Sequence, residues 1–141
     1  MTRHYQPESL EEELQQYGSE PTIRVVMMPK HTNALGSIFG GVILSQLDLA
    51  AGEEARKTAE TRVVTKVMRE VEFVAPVDVG DWVGFYTRTE EIGDTSVLVR
   101  VLVVAQRGQD RDTCVKVTEA ELVFVAVDDD GKPIPVRPEE Q

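Results

Sequence analysis

From residue 62 onward the sequence carries four long β-rich stretches, 62–74, 82–92, 95–107 and 114–127. They are separated by Val79-Gly80-Asp81, Ile92-Gly93-Asp94 and Arg107-Gly108-Gln109-Asp110 and closed by Asp128-Asp129-Asp130-Gly131, the glycines and short acids that turns require. Thirteen extended residues reach roughly 40 Å, so strands of this length twist and curve. A curved sheet needs something to wrap. One long helical pattern is available, from Gly40 to about Lys57, where Ile43, Leu44, Leu47, Ala50, Ala51 and Ala55 form one broad apolar stripe. Thr22 to Met28, β-branched and apolar and stopped by Pro29, adds a first strand.

These elements predict an α+β domain of the hot-dog type, a curved five-stranded antiparallel sheet wrapped around one long central helix. At 141 residues the chain holds one core and is too short for two ordinary domains. The domain is expected over 22–136. Ahead of it, 1–21 is an acidic segment, either a short helix built on Leu10, Leu14 and Tyr17 or without fixed structure, and 137–141 is a tail. The Pro-rich stretch beyond Gly131 is expected on the surface. One helix cannot seal so broad a sheet, so a homo-oligomer, at least a dimer, follows.

A formal net charge of −10 sets most of the surface against phosphate backbones, and no nucleic acid is expected as partner. Arg56, Lys57, Arg62, Lys66 and Arg69 nevertheless gather around the helix end and the next strand, a local patch suited to a small anion. Cys114 is the single cysteine, which excludes an internal disulfide and suits a cytoplasmic setting. No window has the length of a membrane span and no membrane association is expected. His31 has no second histidine near it, since His4 lies at the terminus, and the pattern Gly-x-Ser-x-Gly is absent, which disfavours a metal site and a serine hydrolase. Asp128-Asp129-Asp130-Gly131 lacks the closing glutamate of a calcium loop, so no metal is expected. Trp82, Phe85 and Tyr86 read as core and interface, and Cys114 as a packing residue.

On a helical wheel Gly41, Ser45, Asp48 and Gly52 align at spacings of four, three and four. Three of the four are small, so the ridge admits another backbone or a ligand, and Asp48 is its one acid. Leu44, Ser45, Ala51 and Gly52, the neighbours at three and four residues, include no cation. A carboxylate beside an apolar stripe is costly unless another element hydrogen-bonds it. Asp48 therefore either fixes an assembly, through backbone amides or a partner's basic residue, or does chemistry, activating water or attacking an acyl carbon itself. Gly40 and Gly41 open the same helix, where free N–H groups face outward and no side chain blocks an oxygen that gains negative charge.

The segment Asn33-Ala34-Leu35-Gly36-Ser37-Ile38-Phe39-Gly40-Gly41, continued by Ser45-Gln46-Leu47-Asp48, resembles the acyl-CoA thioesterases of the hot-dog superfamily, in the branch that holds YciA and the brain acyl-CoA hydrolases. Val63-Val64-Thr65, Phe73-Val74-Ala75-Pro76-Val77, Val79-Gly80-Asp81, Thr118-Glu119-Ala120 and Phe124-Val125-Ala126-Val127-Asp128 follow in that family's order, so the resemblance covers about 22–136. It implies hydrolysis of acyl-CoA to a free acid and coenzyme A at sites shared between two subunits, Asp48 as catalytic carboxylate, amides at the helix start polarising the thioester carbonyl, and a hexamer built as a trimer of dimers. Coenzyme A is then part of the substrate and product, and no separate cofactor is implied.

Two positions depart from the pattern. Ser37 stands where relatives often carry Asp or Asn, in some a second polar group supplied by the opposite subunit. Arg69 replaces a position that is commonly acidic, on a strand face expected to carry Val63, Thr65, Val67, Val71 and Phe73. Arg69 either meets a coenzyme A phosphate or pairs with an acid across the subunit interface, and Asn33 either positions substrate or caps its loop. Phe39, Ser45 and Thr65 complete the expected substrate contacts. The alternative to the enzyme is a non-catalytic acyl-CoA-binding or sensing module on the same fold, which the Ser37 departure keeps open; the sequence shows no paired Asp and His suited to a hydratase.

Overall fold

The computed structural model describes residues 9–107 and 113–136. In chain order the elements are α1 (Leu10–Leu14), β1 (Ile23–Val26), a 3-10 turn (Pro29–His31), α2 (Gly40–Ala59), β2 (Val63–Phe73), β3 (Trp82–Ile92), β4 (Ser96–Gln106) and β5 (Cys114–Ala126). The strands form one antiparallel sheet in the order β1-β3-β4-β5-β2, with β1 and β2 at its edges. The four long strands agree with their sequence pattern to within a residue or two. Gly108, Gln109 and Asp110 of the third turn, and the tail expected over 137–141, lie outside the described residues.

Alternation explains which face takes the helix. Along β4, Val97, Val99, Val101, Val103 and Ala105 are buried on the inner face against Ile43, Leu47, Ala50, Ala51, Ala55 and Ala59 of α2. The alanines let the helix axis sit close to the sheet, and each fully buried Val or Leu contributes about 1.5–3 kcal/mol. The helix ends on Glu60, whose φ of 59° is left-handed. That conformation costs a non-glycine residue about 1–2 kcal/mol. Glu60→Gly is therefore expected to raise unfolding free energy by about 1 kcal/mol in a urea titration, with no change in slope.

The outer face carries charge. Glu121, buried, accepts from Arg69 Nε at 3.1 Å and from Arg100 Nη1 at 2.5 Å. Lys116 bridges Glu13 of α1, at 2.8 Å, and Glu119, while the Tyr17 ring covers the Arg88 guanidinium at 5.3 Å. Burial raises the Glu13 carboxyl above its ordinary pKa. Burial also opposes charge on Glu119 and Lys116, but hydrogen bonding among the three groups outweighs it, lowering Glu119 and raising Lys116. These contacts dock α1, which Ser9 caps by accepting from Glu12 N–H at 3.0 Å. The helical alternative for the N-terminal segment thus holds over Leu10–Leu14.

Two expectations need correction. The stretch after Gly131 is not confined to the surface: Val136 is buried in the core and Ile134 packs against it, with Ile134 N–H donating to Ala126 C=O and Val136 N–H to Asp94 C=O, 2.9 and 3.0 Å. Asp81, read only as turn chemistry, is a buried latch. It accepts from Asp78 N–H at 2.9 Å and from Arg107 Nε at 3.0 Å, and Arg107 also donates to Pro76 C=O. Gly80, at φ 93°, makes the reversal that seats it. The 76–81 loop is thereby fixed beside the start of α2.

Candidate active site

β2 runs alongside α2 in the opposite sense, and because β2 is an edge the crease between them is open. Two depressions occupy its ends. Near the helix start a cleft of about 230 Å³ is lined by Ile38, Gly40, Ile43, Phe73, Val77 and Val117, with Val74, Ala75 and Pro76 completing an apolar wall. Further along, one of about 320 Å³ is lined by Asp48, Gly52, Arg56, Arg62, Thr65 and Phe124, flanked by Leu49, Glu53 and Val63.

Asp48 is half-buried, and Thr65 Oγ1 donates to its Oδ1 at 2.8 Å. β2 is thus the second element that a carboxylate on this ridge requires. No ion pair among the described residues includes Asp48, which leaves the acid one neutral donor and a free edge toward the cleft. Ser45 is exposed, its hydroxyl turned back onto Val42 C=O at 2.9 Å.

At the helix start, Val42 N–H donates to Phe39 C=O at 3.0 Å, and among the described residues nothing accepts from Gly40 or Gly41 N–H. These two donors carry the positive end of the helix dipole. The Phe39 ring, half-exposed, lies against Gly41, where a Cβ would stand 2.5 Å from the ring edge; glycine permits the contact. Asn33 caps its own loop, accepting at Oδ1 from Leu35 and Ser37 N–H at 2.9 and 3.3 Å. Ser37 is tied to Asn33 by backbone, with Asn33 N–H donating to its C=O at 2.8 Å. His31 belongs to the 3-10 turn, its Nδ1 accepting from Met28 N–H at 2.9 Å.

The expected site residues therefore form two groups: Asn33, Ser37, Phe39, Gly40 and Gly41 at the start of α2, and Asp48 with Thr65 near its middle, with Ser45 between them on the helix. Asp48 stands seven positions beyond Gly41, about 10 Å along the axis. Arg69 belongs to neither group. Thr65 pairs with Phe124 and Val67 with Val123, so Lys66 is an extra residue that turns the strand over. Arg69 then faces outward and binds Glu121 of its own chain, not an acid across an interface. A second register shift, at Glu70 with φ 55°, returns Phe73 to the inner face. Arg56 and Arg62 had been visible only as part of a basic patch, and the structure puts both in the Asp48 cleft.

Comparison with known proteins settles the family. The thioesterase superfamily profile matches residues 35–111, over half the chain. The chain belongs to the thioesterase superfamily. The acyl-CoA thioester hydrolase YciA of Salmonella typhimurium is 40% identical over 119 residues, 83% of this chain and 90% of that one. Among solved structures, the hexameric hotdog fold thioesterase Cj0915 of Campylobacter jejuni superposes with a TM-score of 0.78 at 44% identity, covering 83% of this chain and 90% of that one. HI0827, described as a hexameric broad specificity acyl-coenzyme A thioesterase, superposes at 0.79 with 34% identity, covering 88% and 84%. The hot-dog fold expected from the sequence is the fold of this thioesterase. Among its described residues no helix is long and apolar enough to cross a membrane, and no group of three or more His, Cys, Asp or Glu is arranged around an ion.

Proposed function

We propose that the protein hydrolyses acyl-CoA thioesters, with Asp48 as general base. The observation that carries this is Asp48 itself, oriented by the Thr65 hydroxyl in an open cleft and in no ion pair among the described residues, on a chain 40% identical to a protein named as an acyl-CoA thioester hydrolase. Asp48 takes a proton from water, the resulting hydroxide attacks the thioester carbonyl carbon, and the carbonyl oxygen gains the negative charge. Gly40 and Gly41 N–H groups stabilise that oxygen. Collapse of the intermediate breaks the carbon–sulfur bond and expels the thiolate, which recovers a proton. A thiolate leaves without prior protonation, its conjugate thiol being a far stronger acid (pKa about 8.5) than an alcohol, so no histidine acid is called for. Nor does the scheme need a cofactor of its own, since coenzyme A arrives with the substrate.

The separation along α2 makes this a two-chain site. A carbonyl oxygen and the water attacking its carbon are both held within about 3 Å of one centre, whereas Gly41 and Asp48 of one helix stand about 10 Å apart along the axis. A second copy crossing antiparallel near Ser45, on the ridge of small residues, brings its Gly41 beside Asp48 and its apolar cleft beside the reacting carbon. Such an isologous contact repeats the site twice per dimer. It also covers Phe39, Leu49, Phe73 and Val74, all exposed in the single chain. In this reading Asn33, Ser37 and Phe39 face a substrate activated by the other subunit's Asp48. The hexameric description of the solved relatives supports six copies, arranged in this reading as a trimer of such dimers; a single cysteine suits their working in the cytoplasm.

Purified protein supplied with acyl-CoAs of increasing chain length is expected to release free thiol. Coenzyme A binding without release at any length would make it a binding module instead. Thr65→Val keeps the side-chain volume and removes the donor to Asp48. Hydrogen bonds to charged groups contribute about 1.5–3 kcal/mol, so kcat/KM is expected to fall about ten- to a hundredfold. An unchanged value would show that Asp48 is oriented by something else.

A further inference from the structure

We infer that Arg56 and Arg62 anchor the diphosphate of the coenzyme A handle, at the far end of the Asp48 cleft from the reacting carbonyl; the inference rests on the acyl-CoA reading above. The small-residue ridge of α2 does not stop at Gly52. Four residues on, the same face presents Arg56, and Arg62 stands just ahead of β2 across the crease. Both line the cleft that Asp48, Gly52 and Thr65 line.

Distance agrees with chemistry. Arg56 lies eight residues beyond Asp48, about 12 Å along the helix. The pantetheine arm, from sulfur to diphosphate, has roughly the length of four extended residues, about 14 Å. With its thioester at Asp48 and its arm along the crease over Gly52, a substrate delivers its diphosphate between the two guanidiniums.

The present partners of both arginines are exchangeable. Arg56 pairs with Glu53 on the helix surface at 2.8 Å, and Arg62 with the fully exposed Asp129 at 3.6 Å. Such exposed pairs contribute little, whereas a guanidinium binds phosphate oxygens in a bidentate, charge-assisted fork. Glu53, released from Arg56, turns into solvent. Other arginines are committed elsewhere: Arg69 and Arg100 to Glu121 on the outer face, Arg107 to Asp81. On a chain of net charge −10, a polyanion is held only where cations are local, and these two line one cleft.

The test compares the wild-type enzyme with Arg56→Ala, Arg62→Ala and the double variant on one acyl-CoA, on its dephospho form, which lacks the 3′-phosphate but keeps the diphosphate, and on the acyl-pantetheine, which lacks both. We expect KM for acyl-CoA and for the dephospho form to rise about tenfold in each single variant and further in the double, with kcat within about twofold. The acyl-pantetheine should show no change. Unchanged KM for acyl-CoA, an equal loss on acyl-pantetheine, or a dephospho substrate indifferent to the substitutions would each overturn the assignment. Calorimetry with coenzyme A itself separates this inference from the reading beneath it. Binding that depends on the arginines in a protein that releases no thiol keeps the anchor and removes the hydrolase. Thiol release with arginine-independent binding does the reverse.

Discussion

Asp48→Asn is expected to lower kcat for thioester hydrolysis by about a thousandfold, within the range that a positioned general base supplies. The substitution is close to isosteric. The new amide would still offer a carbonyl oxygen to Thr65 Oγ1, which now lies 2.8 Å from the carboxylate Oδ1, so the local hydrogen bond survives. What is lost is the capacity to take a proton from water, or to attack carbon. The side chain is only half-buried and forms no ion pair among the described residues, so no charge is left uncompensated by the change. Unfolding free energy should stay within about 0.5 kcal/mol of wild type, and the oligomer should be intact by size. Thiol-release kinetics together with a melting curve check both halves. Undiminished turnover would remove Asp48 from the chemistry; loss of assembly in place of activity would make it a structural anchor between subunits.

Local pattern carried the architecture because the forces behind it are local. Valines alternating along 97–103 mark the face of β4 that meets the helix, and Gly80 and Gly93 close turns wherever they stand, so strand limits follow from neighbours in sequence. The ridge Gly41, Ser45, Asp48 and Gly52 was equally legible, since a helix of known pitch fixes which residues share a face. Strand β2 was not. Its bulges at Lys66 and Glu70 are set by pairing with β5, a partner fifty residues away, and each inserted residue reverses every side chain beyond it. Hence Thr65 and Arg69, expected on one strand face, stand on opposite faces. Asp81 and Val136 were missed for a related reason: a turn acid and a valine among prolines look superficial until Arg107 and Asp94 are brought against them. The separation of Gly41 and Asp48 follows from the pitch of the helix: seven positions are about 10 Å along the axis, too far for both to act on one carbonyl.

Leu47→Ala should do the opposite of Asp48→Asn. Leu47 is fully buried beneath the sheet, one residue before Asp48 but about 100° around the helix from it. Removing three carbons from a fully packed leucine costs about 2–5 kcal/mol, the transfer loss plus the cavity left behind. For a chain of this size the melting midpoint then falls by about 10 °C. Asp48 points about 100° away around α2, toward Thr65 and the cleft, so kcat per folded molecule at 25 °C should remain within about twofold of wild type. Because subunit association adds to stability by mass action, the fall is read at matched protein concentration. A midpoint that does not move would mean that α2 is not seated in the sheet as described. A collapse of kcat in fully folded protein would mean that the depth of α2 in its groove sets the reach of the carboxylate, making the packing under Leu47 part of the catalytic geometry.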